Sequence, residues 1–188
     1  MKSTFNLLAI SLTTVTTALF SLSLSAAQPA SVNASPFGLE IGSATCDAAR
    51  AKLGHIKESK LDSADALLEA DNPSALYEGA TKVIVRCGSN RVIAVQFKAS
   101  KGGMNSTASR EVYSGLNRKY KLVAGGPMPQ LGDGYARFVS GNSIVEQSAP
   151  HLSFEFTVTY YERGFYDSIL ASNKAQAEQG QKAKASAL

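Results

Sequence analysis

From Leu152 to Tyr160 the chain reads LSFEFTVTY. Leu152, Phe154, Phe156, Val158 and Tyr160 alternate with Ser153, Glu155, Thr157 and Thr159. Successive side chains on a strand point to opposite faces, so a period of two marks a strand. The pattern predicts an antiparallel strand with one dry face and one wet face. Such a strand needs a sheet whose dry face is covered by another layer.

Other segments supply the rest of that sheet. TKVIVRC and RVIAVQFKA are β-branched runs separated by GSN, which predicts a hairpin. YARFVSGNSIVEQSA predicts a second hairpin around Gly141-Asn142. PFGLEIG, with Phe37, Leu39 and Ile41 in alternation, reads as a short strand, and HIKES as another. LDSADALLEADNPS has the composition of a helical turn and stops at Asn72-Pro73.

Two helices are predicted. The first spans 43–53, with Ser43 as N-cap, Asp47 in the first turn and Gly54 after its end. Cys46, Ala49 and Leu53 form its small apolar face. The second spans 106–121, with Val112, Leu116 and Tyr120 on one face. VAGGPMPQLGDG then reads as a long connector followed by three strands. The order gives an α+β fold, with short helices packed on one face of antiparallel sheet and a helix-then-meander arrangement occurring twice.

The N-terminus carries Lys2, then an uncharged run from Phe5 to Leu24, then Ser25-Ala26-Ala27. This is the pattern of a secretory signal peptide cleaved after Ala27. It predicts a periplasmic or secreted protein with no membrane-spanning segment after cleavage. The expected organisation is signal 1–27, disordered spacer 28–35, one α+β domain 36–170 and a disordered or frayed helical tail 171–188. The domain divides into two helix-meander units, 36–100 and 101–170. Loss of Lys2 takes the formal charge from +4 to +3. So small a positive balance gives no footprint for nucleic acid.

FGLEIGSATCDAARAKLG, a small-residue turn followed by a short helix and Leu-Gly, resembles the opening of small envelope proteins in which a helix leads into an antiparallel sheet. Those are the SmpA/OmlA-type assembly lipoproteins and the β-lactamase-inhibitor-protein fold. The layout is also similar to that of uncharacterised secreted proteins of Gram-negative bacteria. The stretch covers under a fifth of the chain and lacks the lipid-anchoring cysteine of the SmpA type. The resemblance implies binding or assembly work, not catalysis.

Cys46 and Cys87 are the only cysteines. An exported protein meets oxidising conditions, and an even count permits one bridge. Cys46 lies in phase with Ala49 and Leu53, and Cys87 with Val83 and Val85. A helix docked on that strand face brings the two thiols together, so a structural disulfide is expected. A redox role needs an exposed thiolate of low pKa, and there is no Cys-x-x-Cys.

Motifs for catalysis, metal or cofactor do not appear. His55 and His151 fall at loop or strand-edge positions, without a nucleophile elbow or zinc spacing. Asp62, Asp65, Glu69 and Asp71 cluster, and on a helix the first three share a face. That face reads as solvated or as a weak cation patch. Arg118, Lys119 and Lys121 complement the C-terminal end of the second helix and offer contacts to an anionic envelope component. The Gly-rich loops KGGMNST and AGGPMPQLGDG are the candidate partner-binding loops, with Met104 and Met128 as apolar contacts. The leading expectation is a non-enzymatic exported protein that binds a protein or envelope polymer. The alternatives are a small secreted hydrolase using an Asp/Glu pair on cell wall or glycan, and a purely structural accessory domain.

Overall fold

A computed structural model describes residues 32–61, 65–102 and 106–186. The signal segment and its cleavage point lie outside them, as do Asp62 and Met104. The elements in chain order are α1 (Cys46–Leu53), β1 (Ile56–Lys60), β2 (Asp65–Ala70), β3 (Ala80–Gly88), β4 (Arg91–Ser100), α2 (Thr107–Lys119), β5 (Lys121–Gly125), β6 (Gly134–Ser140), β7 (Ser143–Ala149), β8 (Glu155–Glu162) and α3 (Arg163–Ser186). The strands form one antiparallel sheet in the order β1-β2-β3-β4-β8-β7-β6-β5. Each helix-plus-four-strand unit is a meander, and the fourth strand of each pairs with the other at the centre. The fold is α+β, with the helix-then-meander arrangement present twice.

Cross-strand register aligns the core. Leu68 faces Val85, Val85 faces Val95, and Val95 faces Tyr160. The row continues through Val145, Phe138 and Leu122. A second row runs from Val83 through Phe97, Val158 and Gln147 to Ala136. These residues share one face, which α1 and α2 cover. Tyr113 of α2 packs against Phe138, ring centroids 5.7 Å apart. The buried Gln147 Nε2 donates to the Ser109 carbonyl at 2.7 Å.

The disulfide between Cys46 and Cys87 clamps α1 to β3, with Cα atoms 5.9 Å apart. The chain reaches that point along the start of β4. Gly42 N–H donates to Val92 O at 2.8 Å, and Val92 N–H donates to Ala44 O at 2.9 Å. The N-cap of α1 is Thr45, which accepts from Ala48 N–H at 3.1 Å, rather than Ser43.

Several expectations change. PFGLEIG is not a strand: Pro36–Gly38 is a single 3-10 turn with Phe37 at φ 55°, while Leu39 and Ile41 still enter the core. Asp65–Ala70 is β2 rather than a helical turn, because pairing on both sides with β1 and β3 outweighs local propensity. Asp65 and Glu69 therefore lie on a sheet face, where Asp65 pairs with Arg86 at 3.0 Å and Glu69 with Lys82 at 3.2 Å. Lys121 opens β5, an edge strand inside the expected helix end and connector. Part of the expected spacer is fixed: Ala34 is buried, its N–H donates to Ser143 Oγ at 3.1 Å, and Asn142 N–H donates to Asn33 Oδ1 at 2.7 Å.

A third helix, α3, follows β8 directly, and the tail from Ala171 is its continuation. Its first turns seat on the sheet face opposite α1 and α2. Arg86 stacks 4.7 Å from the Phe165 ring, and Tyr161 and Tyr166 lie 5.3 Å apart. Glu146 Oε1 accepts from Tyr135 Oη at 2.6 Å, Arg137 Nε at 2.9 Å and Tyr166 Oη at 2.9 Å. Burial, then the bond to Glu146, pushes the Tyr135 phenol up to about 12. Tyr166 rises for the same two reasons. From Ala171 to Ala183 the helix is exposed.

Four measurements check this fold. Alkylation without reductant should label neither cysteine, and replacing both with Ala should cost about 4 kcal/mol for a 41-residue separation. At Gly125, φ is 74° and an added Cβ would lie 2.1 Å from the Tyr135 carbonyl oxygen. Gly125→Ala should therefore destabilise by at least about 3 kcal/mol in urea unfolding. A phenol pKa raised on folding stabilises below the unfolded value near 10 and loses that contribution as pH climbs toward 12. Stability should fall across that window, and less steeply in Tyr135→Phe.

Candidate functional site

Register decides which loops meet. Ser100 at the end of β4 faces Glu155 at the start of β8. Ala149 at the end of β7 faces Gly134 at the start of β6. The β4–α2, β5–β6 and β7–β8 connections therefore leave the sheet at one end. The first two contain the Gly-rich loops singled out from sequence. The third is the upstream part of LSFEFTVTY.

The alternation breaks there for a local reason. Pro150 ends β7, and Ser153 N–H donates to its carbonyl at 3.1 Å, closing a turn over 150–153. Phe156, Val158 and Tyr160 lie in the dry face as the pattern predicts. Leu152 and Phe154 do not: they are 94% and 86% exposed. Leu131 of the β5–β6 loop is 71% exposed. These are three of the most exposed large apolar side chains among the described residues. All three line one cleft of about 240 Å³, together with Lys101, Ser106, Gln130, Gly132, His151 and Ser153.

Hydrogen bonds tie the three loops together. Lys101 N–H donates to Phe154 O at 2.9 Å, and the Lys101 ammonium donates to the Pro150 carbonyl. Gly132 N–H donates to His151 Nδ1 at 2.9 Å. His151 N–H donates to Asp133 Oδ1 at 2.6 Å. With Nδ1 accepting, the imidazole hydrogen sits on Nε2, which is a donor. Lys101 is 5% exposed, and none of the ion pairs among the described residues includes it. An ammonium withdrawn from water without a counter-charge is costly, and an arriving anion would relieve that cost. The cleft thus combines apolar walls with a cationic group and an N–H donor.

The other sequence candidates lie elsewhere. Met128 is a core residue, 3% exposed, with its Sδ against the backbone of Gly134. It anchors the β5–β6 loop from beneath and is withdrawn from the surface, while Leu131, three residues on, occupies the exposed position. Arg118 and Lys119 are exposed in the last turn of α2, and Lys121 is exposed on β5. Lys119 Nζ lies 5.3 Å from the Tyr120 ring centroid, at the rim of a second cleft of about 260 Å³ that includes Phe37 and Tyr77. The basic residues do not converge on the loop-end cleft. Sequence reasoning missed Lys101, Leu152 and Phe154 as site residues. The turn signal was Pro150 itself, which cannot extend the β7 ladder and leaves the next residues free to reverse.

Among the described residues no three His, Cys, Asp or Glu side chains gather as a metal site, and no helix is long and apolar enough to cross a membrane. Met128→Ala should cost roughly 2–5 kcal/mol in denaturant unfolding, as for a buried side chain. Leu152→Ser should change stability by less than about 0.5 kcal/mol. No protein-family model, curated protein or solved structure matches this chain.

Proposed function

We propose that this is an exported, non-enzymatic binding protein that recognises a partner protein through the loop-end cleft. The observation that carries the reading is the convergence of Leu131, Leu152 and Phe154 around Lys101. Large apolar side chains held in the open by an ordered turn, beside a withdrawn cation, form a surface that loses water favourably when covered. Loops on a rigid sheet are also where recognition commonly sits. An envelope polymer is the other occupant of the same class. The apolar walls favour a protein, since a hydrated polymer offers less apolar surface to bury.

Export through the 1–27 signal, to the periplasm or outside, belongs to this reading. The Cys46–Cys87 disulfide supports it, because such bridges form and persist in oxidising compartments. Intact mass of the protein recovered from the periplasm or medium should begin at Gln28. Retention of Met1 in that fraction would overturn the export assignment.

A photo-crosslinking residue placed at 152 in the full chain, expressed in cells that export it, tests the binding surface. The control position is Leu61, partly exposed at the opposite end of the sheet. Discrete adducts from 152 and none from 61 are expected, with loss of the adducts when Phe154 is changed to Ser. Equal adducts from both positions, or none from 152, would contradict the assignment.

A further inference from the structure

The chemistry of the cleft specifies what part of a partner it takes. We infer that it captures the C-terminus of a polypeptide whose last side chain is apolar, with the terminal carboxylate at Lys101 and His151. The inference rests on the loop-end reading above and narrows it.

Charge complementarity is the first argument. Lys101 is buried at the cleft, and among the described residues its ammonium has one acceptor, the carbonyl of Pro150. An ammonium carries three donors, and the described residues occupy one of them. His151 follows Pro150 in the chain, and its Nδ1 is committed to Gly132, which leaves Nε2–H as a further donor. Donors on two side chains suit the two oxygens of a carboxylate, and bonds to a charged acceptor are the stronger kind. Glu155, opposite Ser100, is turned to the Thr81 hydroxyl and does not line the cleft. Asp133 is the other nearby opposing charge. It is exposed and turned to the His151 backbone N–H rather than lining the cleft.

Size and polarity give the second argument. A volume of about 240 Å³ holds one or two residues, not an extended acyl chain. Leu131, Leu152 and Phe154 supply apolar walls for one terminal side chain. Ser106 and Gln130 line the same cleft and match the last peptide amide, whereas a fatty acid has no amide for them. Capture of a terminal carboxylate between donors and an apolar pocket is a recurrent mode of peptide recognition.

The test uses the full exported chain with its disulfide intact. The probes are two fluorescent hexapeptide pools ending in Val, Leu, Ile, Met or Phe, one with free carboxylates and one with terminal amides. Sodium decanoate is the competitor, and anisotropy reads binding. The free-acid pool should bind about tenfold or more tighter than the amide pool, as removal of a charged acceptor requires. Decanoate should not displace it. Lys101→Met keeps the aliphatic stem and should erase the acid preference. If that variant does not fold, His151→Asn, which retains an acceptor for Gly132, should reduce it. Leu152→Ser should weaken both pools. Equal binding of acid and amide, binding of neither, or displacement by decanoate would overturn the inference. Crosslinking from position 152 would still report separately on whether the cleft is a binding surface.

Discussion

The pairing of β4 with β8 is the interaction on which the rest of the molecule depends. Seven residue pairs, from Ala94 with Tyr161 to Ser100 with Glu155, join two meanders that would otherwise be separate four-stranded sheets. Each meander alone would bury its apolar face under a single short helix. Joined, Val95, Phe97, Phe156, Val158 and Tyr160 become the centre of one continuous face. Burial at roughly 25 cal/mol per Å² makes the centre of such a sheet its most stable region. Slippage of the seam by one residue would turn every one of these side chains to the wrong face.

The seam also fixes the candidate site. Ser100 opposite Glu155 brings the start of the β4–α2 loop beside the end of the β7–β8 turn. That proximity lets Lys101 donate to the Phe154 and Pro150 carbonyls. Lys101 sits one residue beyond the strand and inherits its position from the register. The β5–β6 loop is brought to the same place by Met128 below and the Gly132–His151 bond above. Gly125 permits the close approach to Tyr135 that starts this loop. The cleft is therefore a by-product of strand pairing rather than of loop sequence alone.

Long-period patterns in the chain were readable, and short-range conflicts were not. The GSN and Gly-Asn turns mark both hairpins, with Ser89 and Asn90 at positive φ as the two-residue turn demands. The phase of Cys46 and Cys87 indicates the disulfide. By contrast, DALLEA is rich in good helix formers, and only pairing with neighbouring strands makes it β2. The alternation in LSFEFTVTY is true from Phe156 onward, but its first two apolar residues belong to a turn set by Pro150. Met128 looks adaptable and exposed in a Gly/Pro-rich loop, yet the loop folds it inward. The start of α3 was hidden because its first turn is held by Phe165, Tyr166 and their stacking on Arg86 and Arg137, contacts made across long sequence distances.

On the proposed reading, the end of the sheet bearing Leu131, Leu152 and Phe154 is covered by a partner where the protein works. Carbene footprinting of the chain inside exporting cells, compared with the purified protein, tests this without knowledge of the partner. Reduced labelling at Leu131, Leu152 and Phe154 is expected in cells, with Leu61, at the opposite end of the sheet, labelled equally in both samples. Unchanged labelling at the three loop residues, or protection centred on Leu61, would overturn the proposed binding surface.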